Sequence, residues 1–409
     1  MPWRIAALNA PRIGVPFFEP SGLPDAVHGA GGEPVPLRLP PARPEGGVAL
    51  AREWMTDLVE VSCSGMDLDG LLLDAQRLEE LAGTLIAALR LDLPTVCAPP
   101  ADPPLYAALV ALGLAPGIGD PANTAVSLAG IRGSRPRGLV DDFSLANALR
   151  AGVAAGGGPE VLVHLAAIAR EAGAVGFGQM MRVLASETPG ADPAWLREYG
   201  IQGLLSSLGD TLHDVPTVAG NLKENLPSAP PAPEKHSRLV FVRARASGAE
   251  AVCHVRQGAT EAAGECRVFG SEAEAISGVR RGEVGEGLIL VVGVCGPRGG
   301  PGLLRLDALG RTLQEARLEV PVMTDGLAPK DTLGAWISLF TPEAVAGGVL
   351  GLLRDGDTLR IDLVEGRIRT GAGDLESREP GEFSNNTAAG YASRYARTAL
   401  PALEGAGFG

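Results

Sequence analysis

The sequence is poor in the features that would take it out of the ordinary globular class. Its 409 residues carry a net charge of −13, and Lys and Arg are scattered singly rather than clustered. Phosphate backbones need concentrated cations, so a nucleic-acid surface is excluded. No apolar run reaches the roughly 18 residues of a membrane helix. The opening MPWRIAALNAPRIG lacks a basic-then-apolar leader pattern. A cytoplasmic protein with no membrane partner is the expectation. Cysteine is sparse: Cys63, Cys97, Cys253, Cys266 and Cys295 form no C-x-x-C pair and no Cys/His cluster. Cys97 and Cys295 lie in apolar, strand-like runs, which favours inert thiols over metal ligands.

What is present is a hydrophobic content of 45%, enough for a large core, in a length that favours two or three domains. Residues 1–224 alternate short apolar runs with helical periodicity, the mark of a parallel α/β sheet. Strands are expected at Arg4 to Leu8, Gly70 to Leu73 and Thr95 to Ala98. Crossover helices are expected at Ala51 to Val61 and Leu78 to Leu91, where apolar residues recur at spacings of three and four. From Ser144 to Leu208 the strands stop, and consecutive helices, including Val161 to Gly173 and Asp192 to Leu208, predict a helical cap. Residues 225–238, NLPSAPPAPEKHSR, concentrate Pro and charge and mark a linker.

Beyond the linker, 239–383 reads as a compact β-rich domain. Its strands are expected at Leu239 to Ala244, Ala251 to Val255, Leu288 to Val292, Val320 to Thr324 and Thr358 to Leu363, with helices at Glu272 to Arg280 and Pro342 to Leu353. In 384–409, Ser384 or Asn385 is placed to cap a last helix that carries Tyr391 and Tyr395 on one face and docks back on the body.

Several stretches together resemble one family. DGLLLD with GTLIAALRLDLP, GGGPEVLVHLAAIAREAG, VAGNLKENL, CRVFGSEAEAISGVRRGEV, GPRGGPG, TDGLAPKDTLG, TPEAVAGGVLGLLRDGDTLRIDL and GYASRYAR are similar to segments of the dihydroxy-acid dehydratase and phosphogluconate dehydratase family, in the family's order. WRIAALNA resembles its opening strand. The resemblance implies a flavodoxin-like parallel α/β domain with a helical cap, then a swivelling β-barrel-like domain and a C-terminal helix. It also implies an active site between the domains and a homodimer. The chain is shorter than a typical member, with much of the loss after CAPPADPP.

That family uses an iron–sulfur cluster on three cysteines, a magnesium ion and a serine base, a combination of soft and hard ligands. Carried over by position, the first cysteine falls at Phe17 or Phe18. In the turn AQRLEE, the second falls at Arg77, a magnesium aspartate at Leu78 and a carbamylated lysine at Glu79. The third cysteine belongs to the lost segment. The metal-binding glutamate falls at Arg305 and the serine base at Pro329, which has no group to accept a proton. No cofactor and no metal ligand is therefore expected.

In place of metals, Arg77, Arg305, Asp325 and Arg298 are expected to bind a small anionic organic molecule, since Arg presents a forked donor set to carboxylates. The alternative is that Arg77 and Arg305 pair with Glu79 and Glu80 and close the cleft. Lys330 and Asp331 in the former base loop, with His164 in VLVHLAAIA, are the acid–base candidates. Their bland counterparts are a solvated turn and a buried structural histidine. The functional expectation is a divergent family member repurposed for cofactor-free elimination, isomerisation or cyclisation of a carboxylate-bearing substrate, possibly in secondary metabolism. The alternatives are an inactive homologue that scaffolds or regulates a partner, or a small-molecule binding protein.

Overall fold

The computed structural model describes residues 10–19, 21–41, 47–130, 134–224, 226–233, 238–244, 248–255, 259–298, 302–330, 334–381 and 389–409. The expected strand at Arg4 to Leu8, Asp331, and the caps Ser384 and Asn385 lie outside these residues.

The first half is built on a four-stranded parallel sheet in the order β2-β1-β3-β4, made of β1 (Arg12–Phe17), β2 (Glu33–Arg38), β3 (Gly70–Leu73) and β4 (Thr95–Cys97). β3 sits in the middle with all four residues buried, which is why it reads as a continuous apolar run. β2 contains Pro34 and Pro36 and lies at the sheet edge, where a missing N–H does no harm. Three helices accompany these strands: α1 (Leu23–Gly29), α2 (Val48–Ser64) and α3 (Leu78–Leu91). α2 and α3 cross closely at Gly83, where a Cβ would lie 2.6 Å from the Arg52 carbonyl oxygen. Only glycine fits there.

Seven helices then cap the sheet: α4 (Pro103–Ala111), α5 (Pro121–Gly130), α6 (Pro136–Leu139), α7 (Asp142–Ala154), α8 (Pro159–Ala172), α9 (Phe177–Glu187) and α10 (Pro193–Leu208). The last is not one straight helix as its periodicity suggests, because Gly200 at φ 65° breaks it. A small hairpin, β5 (Pro216–Thr217) and β6 (Gly220–Asn221), follows.

The second half is a closed eight-stranded barrel in the order β10-β11-β12-β8-β7-β14-β13-β9. Its strands are β7 (Arg238–Ala244), β8 (Ala249–Val255), β9 (Glu261–Phe269), β10 (Leu288–Val292), β11 (Val322–Thr324), β12 (Trp336–Thr341), β13 (Thr358–Asp362) and β14 (Arg367–Thr370). Closure removes the exposed edges that an open sheet would leave. The parallel pairs β9–β10 and β10–β11 are joined through α11 (Glu272–Arg280) and α12 (Asp307–Glu315), and β12 pairs parallel with β11, whereas β7–β8 and β13–β14 are antiparallel neighbours. The helix expected over Pro342 to Leu353 is two short turns, at Ala344–Ala346 and α13 (Val349–Leu352), split by Gly347 at φ 81° and Gly348.

Two seams join the halves. The first N–H groups of α2, which no side chain caps, donate from Val48 and Ala49 to the carbonyls of Leu303 and Gly302 at 3.0 and 3.1 Å. These satisfy helix-end donors that would otherwise be orphaned. The second seam is the C-terminal segment. α14 (Tyr391–Thr398) turns Tyr391 and Tyr395 inward: the Tyr391 hydroxyl donates to Asp57 Oδ2 at 2.9 Å, and Tyr395, fully buried, donates to the Ala406 carbonyl. The last helix does dock on the body, with its apolar face against α2.

Candidate functional site

The turn after β3 is filled. Arg77 is the extended residue before α3 and offers no capping side chain. Its guanidinium pairs with Glu79 and lies 3.9 Å from Glu80, so a half-exposed cation covers two buried carboxylates. Leu78 points the other way and lines both the interdomain cleft and a small apolar cavity behind it. Gln76 closes the turn by accepting from the Ala101 N–H at 3.0 Å.

Across the cleft, Arg305 is held in register with Leu327 by a short parallel bridge. Its Nη2 donates to Glu160 Oε1 at 2.6 Å, and both side chains are largely buried. Glu160 belongs to the first turn of α8. Burial alone would raise its carboxyl, but the nearby cations Arg305 and Lys330 hold it below the usual range. His164 lies one helical turn on, buried, with Nε2 3.8 Å from Glu160 Oε1. Neither ring nitrogen has a hydrogen bond, and burial pushes the imidazole below its ordinary value, towards the neutral form. The ring faces the apolar cavity among Leu78, Leu81 and Val161.

The cleft has a cavity of about 150 Å³ and is lined from both halves. Asp102, Glu160 and the glycines 156–158 come from the α/β side, and Lys330, His254 and Trp336 from the barrel. Lys330 Nζ lies 3.5 Å from Asp102 Oδ2, with the lysine more than half exposed. Of the residues singled out in the sequence, Lys330 therefore lines the cleft, Arg305 pairs with a residue that does, and His164 sits behind it. Asp325 and Arg298 are held elsewhere. Asp325 is fully buried and accepts from the N–H groups of Val294, Cys295 and Ala344; burial raises its carboxyl despite these bonds. Arg298 donates to the Ala399 carbonyl at 2.8 Å.

Asp102, Glu160 and His254 escaped the sequence reading. The four-residue step from Glu160 to His164 was a visible signal, as was Asp102 before Pro103 at a helix start. His254 carried none, because only the fold brings a β8 residue against Gly158.

Among the described residues, none at the positions carried over from the family supplies a thiol for an iron–sulfur cluster. Phe18 is buried in the core, and Pro329 packs on Gly310 of α12. All five cysteines are buried, and burial pushes the thiols of Cys97, Cys253 and Cys266 up to about 12. Thiolates are what iron requires. Among the described residues no three His, Cys, Asp or Glu side chains come together as a metal-ligand group.

A parallel α/β half thus faces a closed eight-stranded barrel across a polar cleft. Residues 242–406 match the family described as dihydroxy-acid/6-phosphogluconate dehydratase, C-terminal, and the chain carries that family's C-terminal domain. It is 32% identical over 255 residues to the dihydroxy-acid dehydratase of Citrifermentans bemidjiense, covering 56% of this chain and 46% of that one. It is 31% identical over 312 residues to that of Methylococcus capsulatus, covering 67% and 55%, and 28% identical over 265 residues to that of Aquifex aeolicus, covering 57% and 48%. The chain spans about half the length of these curated relatives. No helix among the described residues is long and apolar enough to cross a membrane.

Proposed function

We propose that this chain is a divergent dehydratase-family protein that binds a small carboxylate-bearing molecule in its interdomain cleft and performs metal-free acid–base chemistry on it, by elimination, isomerisation or cyclisation. The walls of the site are the α/β part, 1–224, and the barrel part, 239–383, joined by the linker 225–238. The carrying observation is the cleft itself, where Lys330 and His254 converge with Asp102 and Glu160 while the metal-ligand positions hold Arg77, Leu78, Glu79 and Arg305. In this reading Lys330 holds the substrate carboxylate as a compact charge. Glu160, kept ionised, accepts a proton at its Oε2, with Arg305 fixing Oε1. Asp331, adjoining Lys330, is retained as a second acid–base candidate. Arg77 and Arg298 hold the turn and the C-terminal segment in place, and Asp325 and His164 support the site from behind. A homodimer, as the family resemblance implies, and a cytoplasmic location, as the composition suggests, complete the proposal.

A second reading has its own support. Arg77 and Arg305 are each neutralised by carboxylates, as expected of an inactive homologue that scaffolds a partner.

Iron quantitation and calorimetry with a panel of hydroxy and dihydroxy acids separate the two. Iron is expected well below stoichiometry, with at least one acid bound and Lys330→Ala weakening it about tenfold, or ~1.4 kcal/mol. Stoichiometric iron with a charge-transfer absorption would overturn the metal-free chemistry. Binding of no acid, or binding indifferent to Lys330→Ala, would favour the scaffold.

A further inference from the structure

The buried carboxylic acid that the proposed chemistry does not use is Glu343. It follows β12 and is 1% exposed, and neither carboxyl oxygen has a hydrogen-bond partner among the described residues. Its stem lies against Gly296, where a Cβ would come within 2.8 Å of Glu343 Cγ. An unpartnered carboxylate so deeply buried is costly, and the group escapes that cost by holding its proton.

The surroundings of Glu343 form the seam between the barrel and the C-terminal segment. β12 packs against the turn at Ala402–Glu404. That segment is also fastened to the α/β part: Arg52 Nη2 donates to the Gly405 carbonyl at 2.6 Å, and Arg170 Nη1 to the Phe408 carbonyl at 2.6 Å. The charged and titratable groups around Glu343 come from each packed element. Arg298, after β10, favours ionisation; Asp325, after β11, and Glu404, on the C-terminal turn, oppose it. Tyr395 of α14 is fully buried within the field of Glu343, and Arg52 and Glu53 of α2 face it from the other side.

We propose that Glu343 is a proton-dependent latch: neutral, it lets residues 389–409 seat between the barrel and the α/β part, and its ionisation loosens that strap. Burial first, then the like charges of Asp325 and Glu404, raise its carboxyl from 4.5 to about 7, with Arg298 acting in the opposite sense. A carboxyl raised in the docked state binds its proton more tightly there than when released. Its contribution to docking is therefore complete below pH 4.5 and lost as pH rises through 7. The consequence is a strap that is firm in mild acid and loosened above neutrality, at the seam that sets how the barrel faces the cleft.

Hydrogen exchange of 389–409 in the ligand-free chain, corrected for the intrinsic rate at each pH, tests this without reference to any substrate. The opening constant of the wild type is expected to rise about thirtyfold from pH 5.5 to 8.5, the linkage for the shift above. In Glu343→Gln it is expected to stay at the low-pH level throughout. If that variant does not fold, Glu343→Ala removes the same titration. Protection of the wild type that is flat with pH, or a rise that persists in the variant, would overturn the latch.

Discussion

Arg52→Ala is expected to lower the unfolding free energy by about 3–5 kcal/mol, the cost of breaking a buried ion pair from one side. Arg52 is fully buried in α2. Its Nε and Nη2 both reach Glu53 Oε1, at 3.0 and 2.8 Å, and Nη2 also reaches the Gly405 carbonyl. Truncation leaves Glu53, 6% exposed, as a buried carboxylate without its cation. It also releases the C-terminal turn from α2. The expected signature is therefore double: a lower denaturation midpoint, and faster proteolysis or exchange in 389–409 at every pH. Arg52→Lys keeps the charge but not the fork, and should recover part of the stability. Chemical denaturation of the three proteins checks this; a loss below about 1 kcal/mol in Arg52→Ala would show that the pair is not holding the segment.

The sequence located the elements whose own pattern decides them. β3 at Gly70–Leu73, α3 at Leu78–Leu91 and α11 at Glu272–Arg280 stand where the expected elements were placed. A buried middle strand is uniformly apolar, and an amphipathic helix repeats at three and four. β1 was overlooked because PRIGVPF carries prolines at both ends of its apolar run. β9 was overlooked because EAAGECRVF lacks branched residues over most of its length and relies on neighbours in the barrel. α12 follows closely on GPRGGPG, whose glycines predict a turn rather than a helix start.

The turn AQRLEE was legible by another route, through its position between recognisable flanks. What the turn does instead was not. Arg77 was weighed with Glu79 and Glu80 because they are neighbours in sequence, and that pairing is what forms. Arg305 was placed beside them, but its partner is Glu160, 145 residues away, and Lys330 meets Asp102 across 228 residues. Contacts of that range leave no periodicity. The flanks persist for a reason independent of chemistry: β3 and α3 are core elements, where a change of one methylene is felt. The residues between them answer only to charge and space. Arg77 and Leu78 give the turn an ion pair on one side and an apolar face on the other.

The Arg305–Glu160 pair makes the sharpest case, because its removal should reverse a pH dependence. In the wild type Glu160 is held below the usual carboxylate range, so it stabilises the fold above about pH 4.5 and loses that contribution as pH falls through its folded value. Arg305→Ala strips the closest cation from a side chain that is only 12% exposed, leaving burial to dominate. The carboxyl should then rise above its unfolded value. At pH 7 the variant is expected to be about 3–5 kcal/mol less stable than the wild type. The deficit should shrink on acidification, because a protonated Glu160 no longer needs the cation. Arg305→Ala combined with Glu160→Gln should recover most of the loss at pH 7, since no uncompensated charge remains buried. Denaturation curves for the four proteins of this cycle at pH 7 and pH 5 decide the matter. Were the deficit the same at both pH values, or the double variant as unstable as Arg305→Ala, Arg305 would be acting through packing, and the carboxylate it orients in the cleft would not be its reason for being there.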